Sequence, residues 1–498
     1  MKKYKHKLTF IRYICTVLIV IVLLGQVSLA ATEQDETDAQ YLKGVLELIR
    51  DQYEGVISDD ELVLGAVKGM FNSLDPYTVF FDNEETEDFV DTMNGAFGGI
   101  GVTMQISGDY IIIMEVLSGS PAERAGLLQG DKIVEAEGVS LVKESTEKAA
   151  SLIKGEVGTT VKLGILRDGR TVPRYYEVSR EIININPITY EIRGNIGYIK
   201  LSMFTSNSDE YMIKALEEID KKNITKIIFD LRDNPGGEVN QAVQVAQKFV
   251  PKGLITKLDY HSSRYRDASY YSYLEDPKYK LVVLVNGNSA SASEIVSGAI
   301  QDTEVGKLVG TKTFGKAKFQ SLIPLLTLDA FEKYKNQGIY AVNGYDLQNQ
   351  GIYPTNDEIA GYTKMSLGVY YTPKGRMIDG SGLEPDVAVE DPKPVAGIYV
   401  NDIGKLTGEG IIRLNGQGVD VYYAEMLLKV IGYDVQTPDN TLDIDTAAAL
   451  RAYQKDTGLP VTAILDKQTR TALNNELHKV LLQYDKQYST AVDLLNNK

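Results

Sequence analysis

The sequence predicts a multidomain α+β chain: an N-terminal helical arm, a glycine-punctuated strand-rich unit, an α/β core and a small three-helix C-terminal unit. Three observations carry this. The chain has 498 residues, against about 150 for a typical domain. Residues 190–300 alternate amphipathic helices with continuous apolar strands, the texture of a sheet covered on both faces. On either side the texture changes, to glycine turns before and to helical periodicity after. Apolar residues at 43% and charged residues at 24% suit chains that bury a real core. A wholly disordered, collagenous or polytopic membrane protein is thereby excluded. A net charge of −16, spread along the chain, disfavours a nucleic-acid partner, which needs a basic surface. The single cysteine, Cys15, excludes an intramolecular disulfide and cysteine-rich zinc sites. With only His6, His261 and His478, histidine-based catalysis and metal binding are unfavoured.

The N-terminus reads as an address. Lys2, Lys3, Lys5, Lys7 and Arg12 precede an uncharged run from Tyr13 to Thr32 with an apolar centre at Ile14–Leu24. Small residues at Ser28 and Ala30 fit a secretory signal cleaved after Ala30. The same run also reaches across a hydrocarbon core of ~30 Å, so an uncleaved membrane anchor is the alternative. Either way, the following domains are expected outside the cytoplasm, in the cell envelope or secreted.

Leu42, Val45, Leu46 and Ile49 form one helical stripe, and Leu62, Ala66, Val67 and Met70 a second. Ser58 and the acidic residues after it cap the second helix, and Asp75-Pro76 ends it. Such a helical pair suits packing or dimerisation, so a homodimer is expected.

From Gly95 the chain turns to strands. Gly98-Gly99-Ile100-Gly101-Val102 leads into a strand, Tyr110–Val116 forms another, and Ser120-Pro121-Ala122-Glu123-Arg124-Ala125 is a capped short helix stopped by Gly126. Strand Lys132–Ala136, helix Ser145–Lys154 and strand Thr160–Arg167 complete the unit. The Gly99–Val102 loop followed by the Gly-Ser-Pro-Ala-Glu-Arg-Ala-Gly-Leu stretch resembles a PDZ domain. That resemblance implies that Gly99, Ile100, Gly101 and Val102 present backbone N–H groups to a chain-terminal carboxylate, while the adjacent strand edge pairs with the peptide.

The final unit shows three helical stripes: Val421, Ala424, Leu427, Leu428 and Ile431; Ala449, Leu450, Tyr453 and Gln454; and Leu465, Thr469 and Leu473. With Gly432-Tyr433, Gly458-Leu459 and Leu465-Asp466 between them, it resembles a peptidoglycan-binding module, which implies a cell-wall partner. A generic small helical bundle is the plainer alternative.

The segment Val285-Asn286-Gly287-Asn288-Ser289-Ala290-Ser291-Ala292-Ser293-Glu294 ends a buried strand, turns and opens a helix. A serine there either caps the helix or presents its hydroxyl where N–H groups and the helix dipole stabilise negative charge. Downstream, Gly310–Lys316 falls short of a phosphate-cradling loop. Ala317 stands where a magnesium-binding hydroxyl is required, and Phe319–Leu326 reads as strand rather than helix. A lysine after a glycine instead suits burial beside a serine, where the low dielectric disfavours its ammonium form and the neutral amine accepts the serine proton. Ser145-x-x-Lys148 and Ser151-x-x-Lys154 match the spacing of serine β-lactamases, but no Lys-Thr-Gly follows.

The strand Ile227–Leu231 with Arg232-Asp233-Asn234-Pro235-Gly236-Gly237, then Ser289–Glu294, then Thr313–Lys316 with Gln320, resembles the C-terminal processing peptidase family. Tyr370-Tyr371-Thr372-Pro373-Lys374-Gly375-Arg376, Gly382-Leu383-Glu384-Pro385-Asp386 and, upstream, Gly69-Met70 with Leu74-Asp75-Pro76-Tyr77 extend the resemblance over residues 38–392. It implies an α/β serine peptidase core acting through a Ser-Lys dyad and an acyl-enzyme, with no cofactor or metal. Ser291 aligns with the nucleophile, Lys316 with the general base, and Gln320 with the residue that positions the lysine. Ala292 and one of Gly236 or Gly237 are implied to form the oxyanion hole. Ser289 and Ser293 then cap or pack, and Asp302 is read as structural. The implied substrates are proteins or peptides with exposed C-termini, cleaved in the cell envelope. A catalytically inert PDZ-containing wall adaptor is the rival from another class. A peptidoglycan hydrolase is disfavoured, since no paired carboxylates or zinc ligands stand beside the wall-binding module.

These readings divide the chain into a signal peptide or membrane anchor (1–31), a helical arm (32–94), a PDZ domain (95–180), a peptidase core (181–392), a linker (393–408) and a peptidoglycan-binding-like module (409–482). One stretch departs from the family pattern: Asp329–Tyr362, rich in Tyr, Asn and Gly, is expected as a surface insertion. His261 lies in a Tyr-rich segment without an acidic orienting pattern and is not expected to be catalytic.

Overall fold

The computed structural model describes residues 37–167 and 170–497. The expected signal or anchor segment, 1–31, lies outside the described residues. Among the described residues, no helix is long and apolar enough to cross a membrane. The chain forms two compact units. One joins the residues up to Phe81 with Leu322–Lys364, and the other joins Asp82–Ser321 with Met365 to the C-terminal end.

In the first unit, residues 37–52 are helical and a second helix spans Asp59–Asn72. Ser58 and Glu61 exchange hydrogen bonds at its start, satisfying two donors that a helix N-terminus leaves open. The helix buries no residue fully, and Met70 remains 48% exposed. Strand Val79–Phe81 pairs antiparallel with Tyr362–Lys364. The Asp329–Tyr362 insertion is a folded element rather than a loop. Helices Leu328–Lys335 and Gly344–Gln348 close over a core of Leu326, Ala330, Tyr334, Ala341, Leu347 and Ile359.

The second unit begins with helix Asn83–Asn94, capped at Asp82 and stopped by Gly95 in the left-handed region at φ 62°. Five antiparallel strands follow in the order Val102–Ser107, Tyr110–Val116, Lys132–Ala136, Thr160–Leu166, Arg174–Ser179. Val102–Ser107 is therefore an edge strand, and helix Thr146–Ile153 packs against it. The core of this domain is aliphatic: Ile111, Ile113 and Ile133 face Val161, Leu163 and Ile165.

The central sheet orders Ile188–Arg193, Ile196–Leu201, Lys226–Asp230, Lys280–Val285, Gly306–Gly310 and Val387–Ala388. Every pairing from Ile196 onward is parallel. Strand alternation sends Ile227, Phe229, Val283 and Val285 to one face, under helices Ser208–Asp220, Val239–Ala246 and Ala292–Asp302. It sends Ile228, Val282 and Leu284 to the other. That second face is covered by helix Lys486–Asn496, and helices Val419–Val430, Ile444–Asp456 and Lys467–Tyr484 extend the same core. Both faces being buried explains why these strands read as unbroken apolar runs.

The C-terminal region is thus part of the sheet's packing. Segment 393–408, expected as a linker, buries Ile398, Val400, Ile403 and Leu406 in the same core. The fourth helix, beyond the expected boundary at 482, buries Tyr488, Ala491 and Leu495. Each large apolar side chain so buried contributes about 1.5–3 kcal/mol. Lys280 closes the packing by donating to the last carbonyls of that helix, Leu495 O at 3.0 Å and Asn497 O at 2.6 Å.

Candidate active site

The site lies where the adjacent parallel strands Lys226–Asp230 and Lys280–Val285 end, the edge of an α/β sheet at which ligands bind. After Val285 the chain turns through Asn286–Ala290 and enters helix Ala292–Asp302 at Ser291. Ser291 holds φ 55°, ψ −114°, a conformation that a residue with a side chain keeps only when its surroundings impose it. A strained serine between a strand and a helix exposes its hydroxyl at the top of the sheet, as in a nucleophile elbow.

The three serines of the run part company here. Ser289 is fully buried and donates to Leu231 O at 2.8 Å. Ser293 is fully buried and donates to Asn234 O at 2.9 Å. Ser291 alone of the three is partly exposed.

The surroundings that impose the Ser291 geometry centre on Glu294, 0% exposed. Its Oε2 accepts from the N–H groups of Ser291 and Lys316, both at 2.9 Å. Its Oε1 accepts from Thr313 Oγ1 at 2.6 Å and from the Gly315 N–H at 2.8 Å. Burial lifts the Glu294 carboxyl above the usual range, and the four donors oppose that shift. Tyr370, 1% exposed, places its hydroxyl 3.0 Å from Ser291 O and 2.5 Å from Lys316 O. Burial raises this phenol well above its ordinary value, followed by the Glu294 and Asp379 charges, so it remains a donor. One carboxylate and one phenol thus bind the peptide groups of both Ser291 and Lys316.

The lysine loop is pinned from its other side. Thr313 N donates to Leu383 O at 3.1 Å and Leu383 N to Thr313 Oγ1 at 2.7 Å. Ala317 N donates to Asp379 Oδ1 at 3.0 Å. Gly315 has φ 88°, and a Cβ there would fall 2.7 Å from Gly382 N, which accounts for glycine at that position. Lys316 itself is half-buried. Gln320 lies on strand Lys318–Leu326, with its amide nitrogen donating to Lys318 O at 3.1 Å and to Ser366 Oγ at 3.2 Å.

The Asp233–Gly237 loop brings Gly236 to Ser291. Gly236 has φ 108°, and a Cβ on it would lie 2.8 Å from both Ser291 Cβ and Ala290 O. Its N–H, however, donates to Asn234 Oδ1 at 2.9 Å. Gly237 sits between two backbone bonds to one residue, Phe204 N to Gly236 O and Glu238 N to Phe204 O, both at 2.8 Å. That parallel bridge turns the Gly237 N–H to the opposite side of the strand. Ala292 is the first residue of its helix, where N–H groups have no intrahelical partner.

Ser291, Ala292, Lys316 and Gly236 therefore converge, and Gly237 follows Gly236 in the chain. Gly99, Ile100, Gly101 and Val102 lie in the separate domain: Gly99 ends strand Ala96–Gly99 and Val102 begins the edge strand of its six-stranded sheet. Asp302 accepts from Lys374 N at 2.8 Å and pairs with Arg376 at 2.6 Å, holding the 372–376 turn. His261 is exposed. The roles of Glu294 and Tyr370 were not foreseen from sequence. Both stood inside the quoted motifs, but a glutamate three residues after a helix-capping serine reads as an ordinary capping box.

Comparisons with known proteins identify the domains and the family. Residues 195–357 match the model of peptidase family S41, residues 98–173 a PDZ domain, and residues 417–473 a putative peptidoglycan binding domain. Residues 25–86 match the N-terminal domain of the activating protease CtpB. A carboxy-terminal-processing protease of Bartonella bacilliformis is 32% identical over 356 residues, covering 70% of this chain and 74% of that protein. The carboxy-terminal processing protease CtpA of Bacillus subtilis is 30% identical over 481 residues, covering 96% and 93%. Among solved structures, the photosystem II D1 C-terminal processing protease is 25% identical with a TM-score of 0.38, covering 69% of this chain and 86% of that one. With its strained serine at the sheet edge and these relatives across most of its length, the chain belongs to the carboxy-terminal processing proteases, serine peptidases of family S41 that here carry a PDZ domain and a peptidoglycan-binding domain.

Proposed function

We propose that the protein is an exported serine endopeptidase that takes C-terminal tails of envelope proteins on its PDZ domain and cleaves them with a Ser291/Lys316 dyad. The observation that carries this reading is the joint grip of Glu294 and Tyr370 on both residues, beside a glycine loop that only a close approach explains.

In this reading Lys316, as the neutral amine, takes the Ser291 hydroxyl proton as Oγ attacks the scissile carbonyl carbon. Negative charge develops on the carbonyl oxygen, which accepts from the N–H groups of Ala292 and Gly237. Gly236, whose N–H is already committed to Asn234, shapes the approach instead. Collapse of the tetrahedral species expels the amine, which leaves with the proton from Lys316, and an acyl-serine remains. Water then hydrolyses the ester by the same proton path. Gln320 positions the lysine.

The Gly99–Val102 loop receives the substrate's terminal carboxylate, and the free edge of Val102–Ser107 adds the tail as a further strand. The peptidoglycan-binding domain holds the enzyme at the wall. The N-terminal segment exports it and, if uncleaved, anchors it in the membrane. Two copies pair through the helical arm, whose second helix buries no side chain fully in a single chain.

The test compares the chain from Thr32 onward with Ser291→Ala and Lys316→Ala on an unfolded casein-like substrate, with a peptide bearing an apolar C-terminus added as PDZ ligand. Cleavage by the wild type in the presence of chelator, and by neither variant, is expected. A wild type silent even with the ligand would favour the inert adaptor.

A further inference from the structure

The last helix of the chain reaches the oxyanion loop through one buried guanidinium. Arg232 follows strand Lys226–Asp230 and opens the loop that carries Gly236 and Gly237. Its Nε and Nη2 contact the Asp230 carboxylate at 2.9 and 2.5 Å, and Tyr198 donates to the same carboxylate at 2.7 Å. Toward the C-terminal layer, its Nη1 donates to Asp485 Oδ2 at 2.8 Å and to Gln487 Oε1 at 3.1 Å. Arg232 and both carboxylates are at most 3% exposed, and Gln487 is fully buried.

Both C-terminal partners are themselves fixed. Asp485 Oδ1 accepts from Tyr488 N at 2.9 Å and so caps helix Lys486–Asn496. Gln487 Nε2 donates to Val389 O at 3.0 Å and Asp391 Oδ1 at 2.8 Å. Burial alone would lift the Asp230 carboxyl, but Arg232 outweighs it and holds that group below the carboxylate range. Asp230 is therefore ionised against Arg232, and removing a partner of that guanidinium disturbs a buried charge that has no water to turn to.

Downstream of Arg232 the loop has little slack. Asp233 adopts φ 62°. Asn234 donates from Nδ2 to Leu201 O at 2.9 Å and accepts at its carbonyl from Ala290 N at 3.1 Å. A shift of Arg232 is thus carried directly toward Gly237 and the nucleophile turn.

We propose that Asp485 and Gln487 are positioning residues of the peptidase: by holding Arg232 they set the 231–237 loop so that the Gly237 N–H meets the developing oxyanion. Two buried residues beyond the peptidoglycan-binding match at 417–473 then support the peptidase loop, and the C-terminal region cannot be detached without loss of rate. This inference rests on the Ser291/Lys316 reading.

The test uses the full chain with Asp485→Ala, Asp485→Asn, Gln487→Leu and, as control, the exposed neighbour Lys486→Ala. Turnover of a short peptide lacking a PDZ tail is divided by the number of sites that a fluorophosphonate labels, and the labelling rate is recorded. For Asp485→Ala, kcat per labelled site at least tenfold below wild type is expected, with KM within about twofold and slower labelling. Asp485→Asn, whose one oxygen keeps the cap while its amide nitrogen faces Arg232 Nη1, also falls below wild type, and Lys486→Ala matches wild type. If Asp485→Ala does not fold, Asp485→Asn and Gln487→Leu decide by the same criterion. Fewer labelled sites at unchanged kcat per site would overturn the inference, because a merely stabilising contact predicts that. Cleavage surviving Ser291→Ala would instead defeat the underlying reading, which keeps the two failures apart.

Discussion

Glu294 and Tyr370 hold the same two residues, one by their backbone N–H groups and the other by their carbonyls. The carboxylate takes the N–H groups of Ser291 and Lys316 at 2.9 Å each, while the phenol lies 3.0 and 2.5 Å from their carbonyl oxygens. Two residues far apart in sequence are thereby held at one spacing by two buried side chains. Removing the Tyr370 hydroxyl alone, as Tyr370→Phe, deletes a buried bond of about 1–3 kcal/mol. A fall in kcat of roughly tenfold to a hundredfold is expected at nearly constant KM. Glu294→Gln turns an N–H toward N–H donors on one side of the group and is expected to fall further. Steady-state kinetics on a short unfolded peptide distinguishes both from a loss of binding.

The oxyanion assignment is tested at Gly237. A methyl group there would fall 2.1 Å from Phe204 O, and the φ of 138° is itself unfavourable for a residue with a Cβ. Gly237→Ala is expected to lower kcat by about a hundredfold, the scale for loss of one oxyanion donor. Phosphonate labelling of Ser291 should slow in parallel. Normal kinetics would place the donor elsewhere.

Recognition should separate from chemistry at the PDZ loop. Gly101 has φ 80°, and a Cβ would lie 2.4 Å from Ser120 Cβ, so Gly101→Val is expected to distort the carboxylate loop. The variant should raise KM for a protein ending in an apolar C-terminus by at least tenfold. Its kcat on a short peptide without such a tail should stay within about twofold of wild type. An equal loss on both substrates would mean that the loop also supports the catalytic unit.

A pH effect follows from Glu425 in helix Val419–Val430. Burial pushes its carboxyl up to about 8, against hydrogen bonds from Thr446 and from Asp439 N. Below the ordinary glutamate value the folded and unfolded chains both hold the proton. Between that value and about 8 only the folded chain does, so stability falls as pH rises through this window. The loss is roughly 1–3 kcal/mol once solvent screening is allowed for. Protection of this helix against hydrogen exchange, taken relative to the intrinsic amide rate at each pH, should therefore fall from pH 5 to pH 8 in the wild type and stay flat in Glu425→Gln. An equal pH response in the variant would remove Glu425 as the cause.

Local pattern made much of this fold legible. The unbroken runs at Ile227–Leu231 and Leu281–Val285 are apolar throughout because both faces are covered, and periodicity detects that directly. The Ser58–Glu61 cap and the stripes through Leu427, Leu450 and Leu473 likewise depend on near neighbours. What stayed hidden depends on contacts distant in sequence. Asp485 lies 253 residues from Arg232, and nothing around it marks a buried ion pair. The helix that it caps begins directly after Lys467–Tyr484, with no glycine or proline to announce a break. Pattern could not rank Gly236 against Gly237 either, because the difference lies in a side chain of Asn234 turning back on its own loop. The Asp329–Tyr362 stretch read as loop because its core residues are spread among Tyr, Asn and Gly rather than set in a regular stripe.

The most direct test of the dyad is covalent. Wild type and Lys316→Ala, both from Thr32 onward, are exposed to a fluorophosphonate across mildly acid to alkaline pH, and the adduct is mapped by peptide mass spectrometry. The account predicts a single adduct on Ser291 of the wild type, formed faster as pH rises because only the neutral amine of Lys316 acts as base, and almost none in Lys316→Ala. An adduct on Ser289 or Ser293, or a Lys316→Ala variant labelled at the wild-type rate, would contradict it.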